Sequence, residues 1–190
     1  MGPHMMTDDD AAYAEMNKEA ELRELARIEH LLNEAEGPDD RAYAYLSLGV
    51  FCERREDWNV AVDSYSKAIA AESQRVDFRY FSNNNLGYSR IQLSQFDEAE
   101  GFCLEAIEVN ACRHNAHKNL GLVRQGQKRW LEAAFCFIEA YSLCPSDARA
   151  WHLLSALFNL HPELLAQSAD LRAAFIDLGS NSPGHYMIRQ

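Results

Sequence analysis

The sequence predicts an all-α protein, a right-handed superhelix of antiparallel helix pairs with a capping helix at each end. Three observations predict it. A Leu-Gly pair recurs at Leu48-Gly49, Leu86-Gly87 and Leu120-Gly121, and Leu154-Ser155 opens a fourth matching stretch. Alanines follow each glycine in a fixed register, at Ala61, Ala99 and Ala133 and again at Ala68, Ala106 and Ala140. Ahead of these units, Tyr13, Met16 and Ala20, then Leu25, Ile28 and Leu32, recur at three- and four-residue steps, the spacing of one apolar helix face.

The last two intervals between these marks are 34 residues and the first is 38. With Leu-Gly at positions 7 and 8 of each unit, the pattern resembles the tetratricopeptide-repeat (TPR) family over roughly residues 42–158, as three full repeats and a partial fourth. Position 24, aromatic in that family, holds Tyr65, Cys103 and Phe137. The closing proline position holds Ser73, Ala111 and Pro145, and Trp151 takes the tryptophan position of the fourth unit. The physical reading is close packing of two helices, A and B, with the small residues at positions 8 and 20 facing each other so that the backbones approach. A branched side chain there would overpack the joint. Polar turns separate A from B at Arg54-Arg55-Glu56-Asp57, Leu93-Ser94-Gln95 and Gly126-Gln127-Lys128, the length expected between antiparallel neighbours. The 38-residue interval places four extra residues near Ser73–Phe78, read either as a longer connection or as an extra helical turn.

Residues 1–6 read as a tag remnant with Met6 as the native start, and residues 7–37 as an N-terminal capping helix. The acidic cluster Asp8–Asp10 suits a helix start and Gly37-Pro38 a stop. Residues 38–162 hold the repeats and residues 163–178 a C-terminal capping helix, with Ser168 as an N-cap and Gly179 as its end. Residues 179–190 read as a loose tail in which Tyr186, Met187 and Ile188 are candidate anchors.

A net charge of -11 opposes nucleic acid and anionic head groups as partners, and no apolar stretch is long enough to cross a bilayer. Five scattered cysteines (Cys52, Cys103, Cys112, Cys136, Cys144), with no C-x-x-C pair, fit reduced thiols in the cytoplasm. No phosphate loop, G-x-S-x-G or H-E-x-x-H occurs, so the reading is not an enzyme and needs no cofactor. Cys112, His114 and His117 form C-x-H-x-x-H, which lacks the further ligand a zinc site requires, and no metal is assigned.

The resemblance implies a ligand groove lined by helix A of each repeat. Carried over residue by residue, it offers Tyr43, Leu46 and Val50 from the first A helix, and Phe81, Asn84, Asn85 and Tyr88 from the second. The third gives Asn115, Lys118, Asn119 and Leu122, and the fourth Arg149 and His152. Asn85 and Asn119 share position 6 of consecutive repeats, and their amides can pair with a peptide backbone whatever its sequence. Tyr43, Leu46, Val50, Phe81 and Tyr88 are apolar, while Lys118, Arg149 and His152 form a basic end that suits a carboxylate. The chaperone-tail-binding subfamily holds a terminal carboxylate with two lysines, two asparagines and an arginine. The corresponding residues here are Leu46, Val50, Asn85, Asn115 and Asn119, and only Asn85 matches, which argues against an Hsp70- or Hsp90-tail receptor. The function this implies is an adaptor or scaffold that binds a peptide segment of a protein partner. The alternatives are a small TPR chaperone of a secretion system holding an apolar export segment, and a homo-oligomer assembled through the N-terminal helix.

Overall fold

A computed structural model of the chain describes residues 8–181, and the side chains of residues 15–178. Every element among them is a helix. In order these are α1 (Asp8–Glu34), α2 (Pro38–Arg54), α3 (Trp58–Ala70), α4 (Val76–Gln92) and α5 (Phe96–Val109), then α6 (His114–Gly126), α7 (Trp130–Leu143), α8 (Ala148–Leu160), α9 (Leu164–Gln167) and α10 (Ala169–Asn181). They fall into two compact units, residues 1–73 and residues 74–190.

The first unit is α1 packed on the α2–α3 pair. Only part of α1 is covered: Ile28 is 1% exposed, whereas Met16 is 67% exposed, so the apolar stripe expected along the whole helix is buried only in its C-terminal half. Arg54 of α2 and its C-cap Arg55 pair with Glu24 at 2.5 Å and Glu21 at 2.6 Å, and both guanidinium groups lie over the Phe51 ring. These exposed pairs orient α1 more than they stabilise it. Gly37 and Pro38 serve as the N-cap and first residue of α2, while α1 already ends at Glu34.

The second unit pairs α4 with α5 and α6 with α7, and closes with α8 to α10. Its largest core holds Phe137, Leu154, Leu157 and Leu171, all essentially inaccessible to solvent. Phe175 of α10 stacks on Trp151 with centroids 6.0 Å apart and meets Phe158 edge-on at 5.2 Å. Ser168 caps α10 as expected, accepting a hydrogen bond from Leu171 N at 3.1 Å. Gly179, however, does not end α10, which runs on to Asn181. The anchors expected at Tyr186, Met187 and Ile188 lie outside the described residues.

The extra four residues of the first interval are a helical turn. Helix α4 begins four residues before the repeat register requires, at Val76, and has 17 residues against 13 in α6. The joint differs in detail from the expected facing of positions 8 and 20. A Cβ on Gly49 would come within 2.3 Å of the Tyr65 ring, and one on Gly121 within 2.4 Å of the Phe137 ring. The glycine therefore accommodates the ring at position 24.

All three A–B turns share one geometry. Glu56, Ser94 and Lys128 adopt left-handed φ values of 59°, 59° and 61°. The following amides, of Asp57, Gln95 and Arg129, donate to the carbonyls of Cys52, Arg90 and Arg124 at 2.9, 2.9 and 2.8 Å. Each turn is thus a Schellman motif that satisfies the last carbonyls of helix A.

Candidate functional site

In the first unit, Tyr43 and Val50 are exposed on α2, and Tyr43 Oη accepts a hydrogen bond from Arg27 Nη2 of α1 at 3.1 Å. Leu46, expected beside them, is buried.

In the second unit the expected groove residues separate into three groups. Phe81 is exposed, and the Arg113 guanidinium sits 4.7 Å from its ring and 4.9 Å from that of Tyr80. An amide chain then links two repeats: Asn119 Nδ2 of α6 donates to Asn84 Oδ1 of α4 at 3.1 Å, and Asn84 Nδ2 donates to Asn85 Oδ1 at 2.9 Å. Asn84 and Asn119 are buried, as is Lys118, whereas Asn85, Tyr88 and Leu122 are half-buried. The third group gathers at the start of α8. Arg149 Nη2 donates to Asn115 Oδ1 at 3.2 Å, and Arg149 also holds the Asp147 carboxylate through Nε at 2.8 Å and Nη2 at 2.5 Å. His114 Nε2 lies 2.8 Å from the same carboxylate. Hydrogen bonding from the Arg149 side chain holds the Asp147 carboxyl well below the usual carboxylate range, with the Arg149 backbone N–H and His114 adding to it. His152 is exposed one turn further along α8.

Charge is segregated between the two helix types. Helices α6 and α8 contain no Asp or Glu, and α4 contains only Asp77, which pairs with Arg75 at 2.7 Å. Helices α5 and α7 contain no Lys or Arg but carry Asp97, Glu98, Glu100, Glu105, Glu108, Glu132 and Glu139. The A helices of this unit thus carry the cations and the B helices the carboxylates, and Arg90 and Arg124 pair with Glu98 and Glu100 across the joints.

A feature not read from the sequence is an apolar cleft of about 420 Å³ at the C-terminal ends of the A helices. Ile91, Leu122, Leu157 and Leu160 line it with Phe96 and Trp130, and Trp130 stacks on His161 at 4.4 Å. The available signal was an aromatic at the start of every B helix, Trp58, Phe96 and Trp130.

Nothing in this set resembles a reactive centre. Burial pushes the Cys103 thiol up to about 12 and that of Cys136 up to about 11, which suppresses the thiolate. The histidines of C-x-H-x-x-H have separate partners, His114 at Asp147 and His117 Nε2 at the Ala111 carbonyl, 2.9 Å away. Among the described residues no cluster is placed to hold a metal ion, and no helix is long and apolar enough to cross a membrane.

No family model matches the chain, and no curated protein sequence does. Solved structures do. The TPR domain of Arabidopsis OM64 superposes with a TM-score of 0.59 at 24% identity, over 65% of this chain and 98% of that one. The second TPR domain of human RPAP3, solved with an HSP70 peptide, gives 0.57 at 22% identity, over 64% and 98%. MamA of Desulfovibrio magneticus RS-1 gives 0.61 at 14% identity, over 95% and 100%. The chain has the TPR fold. Its TPR register places the expected ligand positions on α2, α4, α6 and α8, but burial withdraws Leu46, Asn84, Lys118 and Asn119 from full contact with a ligand. An apolar cleft of the second unit lies at Ile91, Leu122 and Trp130.

Proposed function

We propose that the chain is a protein–protein interaction adaptor, not an enzyme, which holds an extended, acid-bearing segment of a partner protein against α4, α6 and α8. The observation that carries this reading is the charge segregation. In a protein of net charge -11, α6 and α8 carry Lys118, Arg124 and Arg149 and no carboxylate, with Lys118 buried, Arg124 paired with Glu100 at 2.5 Å and the exposed Arg149 paired with Asp147 at 2.5 Å. A partner carboxylate reaching this face meets no acid from α6 or α8 and can share the exposed Arg149 guanidinium with Asp147, whereas the acidic B helices discourage docking elsewhere. The half-buried amide of Asn85, which accepts from Asn84, supplies polar contact for a peptide backbone. The peptide seen with the RPAP3 domain shows that this fold can serve such a role. Five free cysteines support a reducing compartment, the cytoplasm.

The test is a random dodecapeptide display library panned on the full chain, with enriched peptides titrated by calorimetry at low and physiological salt. Enrichment of Asp and Glu, weaker binding at the higher salt and loss on Arg149→Glu with His152→Glu support the reading. A library that enriches nothing sinks it.

One observation favours a second reading, self-association through α1, because the N-terminal half of that helix leaves Met16 and Leu22 67% and 58% exposed. Light scattering of the full chain against one lacking residues 1–24 decides it: a monomer in both cases removes the oligomer.

A further inference from the structure

We infer that the cleft at the C-terminal ends of α4, α6 and α8 takes one large apolar side chain (Leu, Phe or Trp) of the same acid-bearing segment, about four residues from its acidic contact. This rests on the adaptor reading and specifies what its partner must contain. The walls are aliphatic at Ile91, Leu122 and Leu157 and aromatic at Phe96 and Trp130, and none of the lining residues is an acid. At about 420 Å³ the space lies within the ~300–1,000 Å³ of small-ligand pockets, which suits one side chain rather than a docked helix. Leu160 stands at the rim 70% exposed, so an apolar occupant would remove it from water.

The spacing follows from helix geometry, and the charge complementarity of the same three helices selects the occupant. The Arg149 guanidinium, 62% exposed although it also holds Asp147, and the imidazole of His152 are on α8, eight residues before Leu157 and Leu160 respectively. At about 1.5 Å per residue that is roughly 12 Å, the span of about four residues of an extended peptide. A segment with a carboxylate at Arg149 or His152 therefore brings a side chain four positions away over the cleft. The asparagine chain lies on the neighbouring α4 and α6.

The experiment uses peptides enriched by the display library on the full chain, titrated while the indole N–H resonance of Trp130 is followed by NMR. The expected result is an acidic residue about four positions from Leu, Phe or Trp, with a saturable shift of the Trp130 resonance. Leu160→Asp should then weaken binding at least about tenfold with the melting temperature retained, because Leu160 is exposed. Acidic peptides that lack an apolar residue, leave Trp130 unmoved and ignore Leu160→Asp would overturn the cleft assignment while the adaptor reading stands. Failure to enrich any peptide removes both. Two further outcomes overturn the assignment by naming another occupant. One is a Trp130 resonance that moves when the chain is cut after Asn181, which identifies residues 182–190. The other is a resonance that moves with protein concentration, which identifies a second copy.

Discussion

Gly121 lies against the ring of Phe137 so closely that a single methyl group on it would stand 2.4 Å from Phe137 Cε1. Phe137 is fully buried and cannot swing away. Gly121→Ala should therefore destabilise the protein by about 1–3 kcal/mol, despite the better helix propensity of alanine. Gly49→Ala against Tyr65 should behave alike. Gly87 faces the smaller Cys103, whose Sγ is 2.9 Å from an added Cβ, so Gly87→Ala should be much milder. Gly101, with nothing within 4 Å, is the control, and Gly101→Ala should raise stability by about 1 kcal/mol. Thermal melts of the four variants should fall in that order, and a Gly121→Ala protein that melts with wild type would refute the joint.

The A–B turns offer the opposite experiment. Lys128 occupies the left-handed region at φ 61°, where a side chain is strained and glycine is not. Lys128→Gly should stabilise by up to about 1 kcal/mol, a rise of roughly 2–4 °C in a domain of this size. The same change at Ser94 should act additively, because the two turns are in separate repeats. Calorimetry of the single and double variants reads both effects, and a lowered melting temperature would mean the turn relaxes its geometry in solution.

These two cases show what the sequence discloses and what it hides. Gly49 and Gly121 were legible because a ring against a helix backbone admits no other residue, and Gly87 keeps the same mark against Cys103, so the contact shows at a regular position of each repeat. The turns left no such mark, since Glu56, Ser94 and Lys128 are ordinary residues held at positive φ by the packing on either side. Position 6 of a repeat predicts which face Asn119 joins, but its burial depends on Asn84 arriving from the preceding repeat. The cleft is assembled from α4, α6, α8 and the first residues of α5 and α7, so no local pattern encodes it.

The asparagine chain divides structural from binding roles. Asn119 is 2% exposed and donates to Asn84, whereas Asn85 accepts from Asn84 and is half-buried. Asn119→Ala should cost about 1 kcal/mol of stability by stranding the Asn84 carbonyl. Asn85→Ala should cost less, because water reaches this half-buried position, and should weaken peptide binding more than it lowers the melting temperature. Denaturant melts set beside titrations of the same variants test this. Equal losses of stability at both positions would make the chain purely structural.

The joint between α6 and α8 carries the pH dependence. Asp147 caps α8 by accepting from Arg149 N at 3.1 Å, holds the Arg149 guanidinium and lies against His114 of the preceding repeat. Its carboxyl is lowered in the folded protein, first by the Arg149 side chain, from about 3.9 in the unfolded chain. A folded-state value below the unfolded one means the unfolded chain binds the proton more readily. The stabilisation is therefore fully present above about pH 4 and is lost as pH falls further towards the folded value. Asp147→Asn keeps a capping oxygen but removes the charge, so it should lower the melting temperature at pH 7 and converge with wild type in acid. Asp147→Ala also loses the cap, which costs about 1 kcal/mol more at every pH. Differential scanning calorimetry from pH 7 to pH 2, read as the gap between wild type and Asp147→Asn, isolates this carboxylate from the protein's other acids. A gap that stays constant across that range would show that the charge of Asp147 contributes nothing to the joint.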